Sequence, residues 1–183
     1  MKPLFLSFVL AGCATMPETT AAPADAFFAA LGEHCGNRYA GRLVSEDPAD
    51  ADFAGQEMVV HVAQCSANEI RMPFRVGTDS SRTWIVTRTP DGLRLKHQHL
   101  HADGTPDAVT FYGGTAQQAG TAARQEFPVD DYSIALFRRE GLDASVTNVW
   151  AFEASDDLIA YELRRPSGRF FRVEFDADVP LAD

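Results

Sequence analysis

Leu93-Arg94-Leu95-Lys96-His97-Gln98-His99-Leu100-His101, followed by Ala102-Asp103-Gly104-Thr105-Pro106-Asp107, decides how the chain is read. The odd positions hold Leu93, Leu95, His97, His99 and His101. The even positions hold Arg94, Lys96, Gln98 and Leu100. A period of two sends the two sets to opposite faces of a sheet. Three of the five histidines therefore share a face with two leucines, which predicts that they point at a core.

The turn sets what they meet. Asp103-Gly104 alone could form a two-residue type I′ turn, but that register puts Phe111 on the polar face. A three-residue turn, Ala102-Asp103-Gly104 with Gly104 left-handed, matches apolar with apolar. It predicts Leu95 opposite Phe111, His97 opposite Val109 and His99 opposite Asp107. Register follows the apolar pattern where one face is buried.

The rest of the chain continues the strand pattern. Tyr39–Val44 and Glu57–Gln64 are strand-like. Ile70, Met72, Phe74 and Val76 alternate with polar residues, and Pro73 among them predicts an edge or a bulge. Arg82–Thr89 is the next strand. Ser145–Glu153 follows later, with Asn148, Trp150 and Phe152 on one face. Leu158–Arg165 and Arg169–Asp176 form a hairpin around Pro166-Ser167-Gly168, with Phe171, Val173 and Phe175 inward. Two short helices are expected. One begins at Asp25, carries Phe27, Phe28 and Leu31, and stops by Gly36. The other follows Asp130-Asp131 and ends at Gly141. Tyr112–Gln125, rich in Gly, Ala, Gln and Thr, reads as a long loop that could cover the histidine hairpin.

Many short antiparallel strands with one early and one late helix predict a mainly β protein, a single antiparallel barrel. This layout resembles lipocalin-like barrels. Gly36-Asn37-Arg38-Tyr39-Ala40-Gly41 stands where such proteins often show Gly-x-Trp, with Arg38 in the place of Trp. Tyr112-Gly113-Gly114 and Thr147–Glu153 are also similar to stretches of uncharacterised secreted proteins, a likeness that implies no activity.

The chain has 183 residues, 45% hydrophobic and 23% charged, an ordinary balance for one globular domain. Its formal net charge of -10, with 26 acidic residues against 16 basic ones and no basic run, argues against a nucleic-acid surface.

Met1-Lys2-Pro3 is positively charged, and Leu4–Ala11 is apolar but too short to span a bilayer. The run ends in Leu10-Ala11-Gly12-Cys13. A charged start, an apolar stretch and small residues before a cut site make a secretory signal. Leu-Ala-Gly-Cys resembles the lipobox of bacterial lipoproteins. That resemblance implies cleavage before Cys13 and acyl chains on its sulfur and amino group, a stable anchor in the membrane. Ala14, rather than an acidic residue, follows the cysteine. In Gram-negative lipoproteins that resembles sorting to the outer membrane, with the domain facing the periplasm. The expected organisation is a signal peptide over 1–12, a flexible tether over 13–24, the barrel domain over 25–178 and a tail over 179–183.

With Cys13 lipidated, Cys35 and Cys65 remain as an even pair in an oxidising compartment, which predicts a disulfide. Closing that loop stabilises the fold by roughly 3–4 kcal/mol on the chain-entropy model.

The site is expected at the histidine hairpin. His97, His99, His101, Asp107, Tyr112 and Trp150 are its candidate residues. In a barrel mouth they would make a polar pocket for a small or amphipathic ligand. Two imidazoles at i and i+2 can also converge on a metal, with Asp107 orienting His99 or binding directly. Zinc suits such nitrogen and oxygen ligands, and an open position would permit metal-assisted hydrolysis. A third expectation is an envelope interaction scaffold with a filled barrel. Ser133 and Ser145 lie outside any Gly-x-Ser-x-Gly, and Gly113-Gly114 is not followed by the Lys-Ser/Thr of a phosphate loop, so no catalytic residue is assigned.

Overall fold

The structure is a computed structural model that describes residues 22–182. The expected signal peptide, the expected lipidation site Cys13 and most of the expected tether lie outside the described residues. No helix among the described residues is long and apolar enough to cross a membrane.

Eleven strands follow one another in chain order: β1 (Arg38–Leu43), β2 (Met58–His61), β3 (Gln64–Cys65), β4 (Glu69–Val76), β5 (Asp79–Thr89), β6 (Gly92–His99), β7 (Tyr112–Thr115), β8 (Arg124–Pro128), β9 (Val149–Ala154), β10 (Leu158–Arg164) and β11 (Phe170–Asp176). Helix α1 (Pro23–Glu33) precedes them, and α2 (Asp131–Arg139) sits between β8 and β9. Ten strands run round a nearly closed antiparallel barrel in the order β7-β6-β5-β4-β2-β1-β11-β10-β9-β8, with β3 paired to β4. The mainly β, single-barrel reading therefore holds, with its two helices in the expected places.

Alternation explains most of the wall. In β11, Phe171, Val173 and Phe175 are buried, while Arg172 and Glu174 between them are partly exposed on the outer face. Outside, Arg124 and Arg172 both reach Glu153 and Glu162 across β8, β9, β10 and β11. Inside, Trp84 stacks between Phe74 and Tyr161, with ring centroids 4.4 Å apart on each side. Pro73 is beside an irregularity, as expected. β2 leaves β4 at Val60↔Phe74, and β3 rejoins it one register step away at Gln64↔Arg71. The missing proline N–H therefore faces an interruption in the neighbouring ladder.

The seam is between β7 and β8. Only the single bridge Gly114↔Val129 joins them, supported by Asp130 N donating to Gly113 O at 3.0 Å. A Cβ on Gly113 would lie 1.9 Å from Leu95 O, and one on Gly114 would lie 1.8 Å from Pro128 O. These two glycines let β7 slip between its neighbours. The expected loop over Tyr112–Gln125 is thus corrected: its first four residues are a strand, and the backbone of Gly113-Gly114 is wedged in the wall rather than free to act as a cover.

Helix α1 closes one end of the barrel. Pro23 occupies its first turn, so it starts two residues before the expected cap at Asp25. Phe27, Phe28 and Leu31 are buried. Asp25 pairs with Arg88, whose guanidinium also covers the Phe28 ring. The Cys35–Cys65 disulfide, with Cα atoms 6.2 Å apart, ties the end of α1 to β3. The His34 ring follows the helix as its C-cap. Its Nε2 lies 2.9 Å from the Ser155 carbonyl and so donates, leaving Nδ1 to accept from the Tyr39 hydroxyl at 2.9 Å. The tail is held too: Leu181 N donates to Arg38 O at 2.7 Å, and the Arg38 guanidinium donates to Ala182 O.

Candidate functional site

The end of the barrel opposite α1 opens into a cavity of about 270 Å³. That is just below the range of about 300–1,000 Å³ common for small-molecule pockets. Period-two alternation supplies its inner rows. On β10 and just beyond, Tyr161, Leu163 and Arg165 point inward in succession. On β9 and just before it, Trp150 and Asn148 run alongside, with Trp150 paired to Leu163, while Phe152, paired to Tyr161, is fully buried in the core and does not line the cavity. Aromatic side chains thus form the deep part, and polar ones stand at the mouth.

The histidine strand enters this cavity on the opposite wall. His97 is 3% exposed, in register with Trp84 on β5 and Tyr112 on β7. Its Nδ1 lies 3.2 Å from the Tyr112 carbonyl, which can only accept, so Nδ1 carries the proton. Nε2 then accepts from the Tyr161 hydroxyl at 2.8 Å. Burial drives the His97 pKa down from 6.5 to about 3, so the ring is neutral at physiological pH. Burial also pushes the Tyr112 phenol up to about 12 and the Tyr161 phenol well above its ordinary 10. His97 and Tyr112 are stacked, with centroids 4.6 Å apart.

His99 lines the same cavity nearer the mouth. Its Nε2 is 2.9 Å from the Tyr112 hydroxyl. Burial first, then the Arg82 cation, lower its pKa. His101 does not join the pair. It is exposed at the turn and takes no part in the lining.

Of the three predicted hairpin pairs, only His99 with Asp107 holds. His101 N donates to Thr105 O, Leu100 bridges Pro106, and Asp107 N donates to His99 O, so the turn is the three-residue Ala102-Asp103-Gly104 with Gly104 at φ 83°. The remainder is corrected. His97 pairs with Tyr112 and Leu95 with Gly114, in place of Val109 and Phe111. Between these points, two residues of β6 are matched by five of the returning chain, an excess of three. Asp107 causes the excursion. Its carboxylate accepts from Val109 N at 2.7 Å, while Thr110 Oγ1 takes the His99 N–H that a continuing ladder would have used. Phe111 then returns the chain with φ 57°, the one left-handed non-glycine residue among the described residues. Asp107 therefore shapes the loop and does not hydrogen-bond the His99 ring. The excursion lays Val109 against the cavity.

Trp150, 1% exposed, lines the cavity 5.1 Å from the His97 ring and 5.8 Å from Tyr112 between centroids. His61 does not share this interior. It lines a separate pocket on the outer face of the sheet with Arg38, Glu57 and Arg75.

The mouth holds three arginines that sequence reasoning did not single out. Arg82 pairs with Asp79. Arg169 pairs with Asp47 and with Asp50, whose side chain is 1% exposed. Arg165 differs. Its Nε donates to Asn148 Oδ1 at 2.6 Å and one terminal nitrogen donates to Ser145 Oγ at 3.1 Å, both neutral acceptors. The signal for Arg165 was present in the sequence: it sits two residues after Leu163 and four after Tyr161, on the inward alternation of a strand, but beside the Pro166-Ser167-Gly168 turn it reads as an ordinary flanking charge.

The three-histidine metal site does not assemble. Among the described residues no group of three His, Cys, Asp or Glu side chains converges where an ion could be held. The imidazoles of His97 and His99 are instead each engaged by a tyrosine.

No protein-family model, curated protein or solved structure matches the chain. The chemistry of the cavity is therefore read from its own residues.

Proposed function

We propose that this chain is a lipid-anchored lipoprotein of the bacterial cell envelope whose β-barrel binds a small or amphipathic ligand at its open end. The observation that carries the reading is the cavity itself. It has an aromatic interior formed by Trp84, Trp150, Tyr112 and Tyr161, and a few polar groups at one end. Apolar walls supply affinity, and sparse fixed polar groups supply orientation. Buried aromatic rings offer large contact area with little entropy left to lose. The cavity beside His99 also favours ligand binding over a barrel that serves only as a filled scaffold.

The anchor rests on Leu10-Ala11-Gly12-Cys13, and Ala14 supports an outer-membrane, periplasm-facing position. The membrane, reached through the Cys13 lipid, would be one partner and the small molecule the other.

Solvent extraction of the barrel purified from its own membranes, followed by mass spectrometry, tests the ligand. A compound recovered from the wild type and lost from Leu163→Trp, which fills the cavity, is expected. Equal recovery from both proteins would place the compound elsewhere and count against the cavity.

A further inference from the structure

We infer that the ligand is a monoanionic amphiphile, with a carboxylate head held by Arg165 at the mouth and an apolar body lying against Trp150 and Tyr161. The inference rests on the ligand-binding reading above and adds the charge and orientation of the ligand.

The lining supplies the first ground. It contains three arginines, Arg82, Arg165 and Arg169, and no aspartate or glutamate, in a chain with a net charge of -10. The carboxylates that match Arg82 and Arg169 lie outside the lining. The cavity therefore presents cationic groups to whatever enters, against the sign of the whole protein.

Arg165 supplies the second ground. A guanidinium has five N–H donors in a planar fork suited to a carboxylate. Two of them are used, on Asn148 and Ser145. Those bonds fix the plane of the fork and neutralise nothing. Burial and the Arg169 cation both press against the charge on Arg165, more strongly than Asp47 supports it. An entering carboxylate would relieve that cost, and a charge-assisted, bidentate pair is the strongest hydrogen-bonded contact available to such a group. A neutral head would leave it unrelieved.

Spacing supplies the third. Tyr161, Leu163 and Arg165 rise along one inward row, at roughly 6.6–6.8 Å per step. The Arg165 backbone is thus about 13 Å along the row from that of Tyr161. The charged end and the apolar end are separated by the length of a short chain or a fused ring pair, which is the shape of an amphiphile rather than of a compact ion.

Calorimetric titration of the folded, wild-type barrel tests this with octanoate and naphthylacetate, their neutral counterparts octanol and naphthylethanol, and octylammonium. The acids are expected to bind at least about tenfold more tightly than the alcohols, and octylammonium more weakly than either. Arg165→Gln should bring the acids down to the alcohols while leaving the alcohols unchanged, and Arg165→Lys should retain part of the preference. Thermal melts establish that the variants are folded, and the acid-to-alcohol ratio of the wild type needs no variant. Equal binding of acids and alcohols, or a ratio unmoved by Arg165→Gln, would overturn the carboxylate site while leaving ligand binding intact. Failure of every probe to bind the folded protein would remove both.

Discussion

The Tyr161 hydroxyl donates to His97 Nε2 across 2.8 Å, joining β10 to β6 through the middle of the barrel. The bond needs a neutral imidazole, because a protonated ring has no acceptor to offer. Proton uptake by His97 would reverse that bond, with Nε2 donating to the Tyr161 oxygen, and would place a charge among Trp84, Trp150 and Tyr161.

That relationship has a pH consequence. Burial lowers the folded pKa of His97 from 6.5 to about 3. Between those values the unfolded chain takes up a proton that the folded barrel refuses, so stability falls as pH falls. The contribution is full above about 6.5 and drains away toward about 3. The lowered pKa of His99 acts in the same direction. Carboxylate pairs also weaken in acid, so the informative quantity is a difference. Denaturation at stepped pH should show wild type losing more stability on acidification than His97→Gln. Parallel losses would remove His97 from the account.

Closure of the wall depends on Gly114. A methyl group there would sit 1.8 Å from Pro128 O, a main-chain atom that cannot step aside cheaply. Gly114→Ala should cost about 3 kcal/mol or more by urea denaturation, at the upper end of overpacking penalties. A loss below about 0.5 kcal/mol would show that the β7–β8 seam is not tight in solution.

The Cys35–Cys65 bond closes a loop with a sequence separation of 30. Cys35→Ser with Cys65→Ser should destabilise by about 3–4 kcal/mol on the chain-entropy model. Reduction of the wild type should reproduce that loss, and the double variant should no longer respond to reductant. A wild type whose melting ignores reductant would contradict the assignment.

The anchor has a direct test in fractionation. On the proposed lipobox reading, the acyl chains would attach at the Cys13 sulfur and at the amino group exposed by cleavage, so Cys13→Ala should move the protein from the membrane fraction to the soluble periplasm. Retention in membranes would remove the lipobox reading.

What the sequence disclosed and what it hid follow from range. Alternation is local, so β11 with Phe171, Val173 and Phe175 was legible, as was the inward row Leu93, Leu95 and His97. The cap at Asp130, whose carboxylate accepts from Ser133 N at 2.9 Å, was legible for the same reason. The hairpin was half legible. Its turn obeyed the Asp103-Gly104 chemistry, but the Asp107 carboxylate then spent itself on Val109 N and shifted the register by three. A side chain competing for a backbone donor leaves no mark in an apolar pattern. Gly113-Gly114 read as a loop because glycine has low strand propensity. In the fold the absence of side chains is what lets β7 pass between β6 and β8. Arg165 became meaningful only when Asn148 and Ser145, distant along the chain, were found as its hydrogen-bond partners in place of a carboxylate.

The account turns on whether the cavity takes an amphiphile. Trp84 and Trp150 are the only two tryptophans in the chain, and both line it. Intrinsic tryptophan emission, followed while octanoate is added to the folded barrel, therefore reports the cavity and little else. The account predicts a saturable change with a stoichiometry of about one per barrel, weakened at least about tenfold in Arg165→Gln. Emission that stays flat to saturating octanoate, in protein shown by melting to be folded, would contradict it.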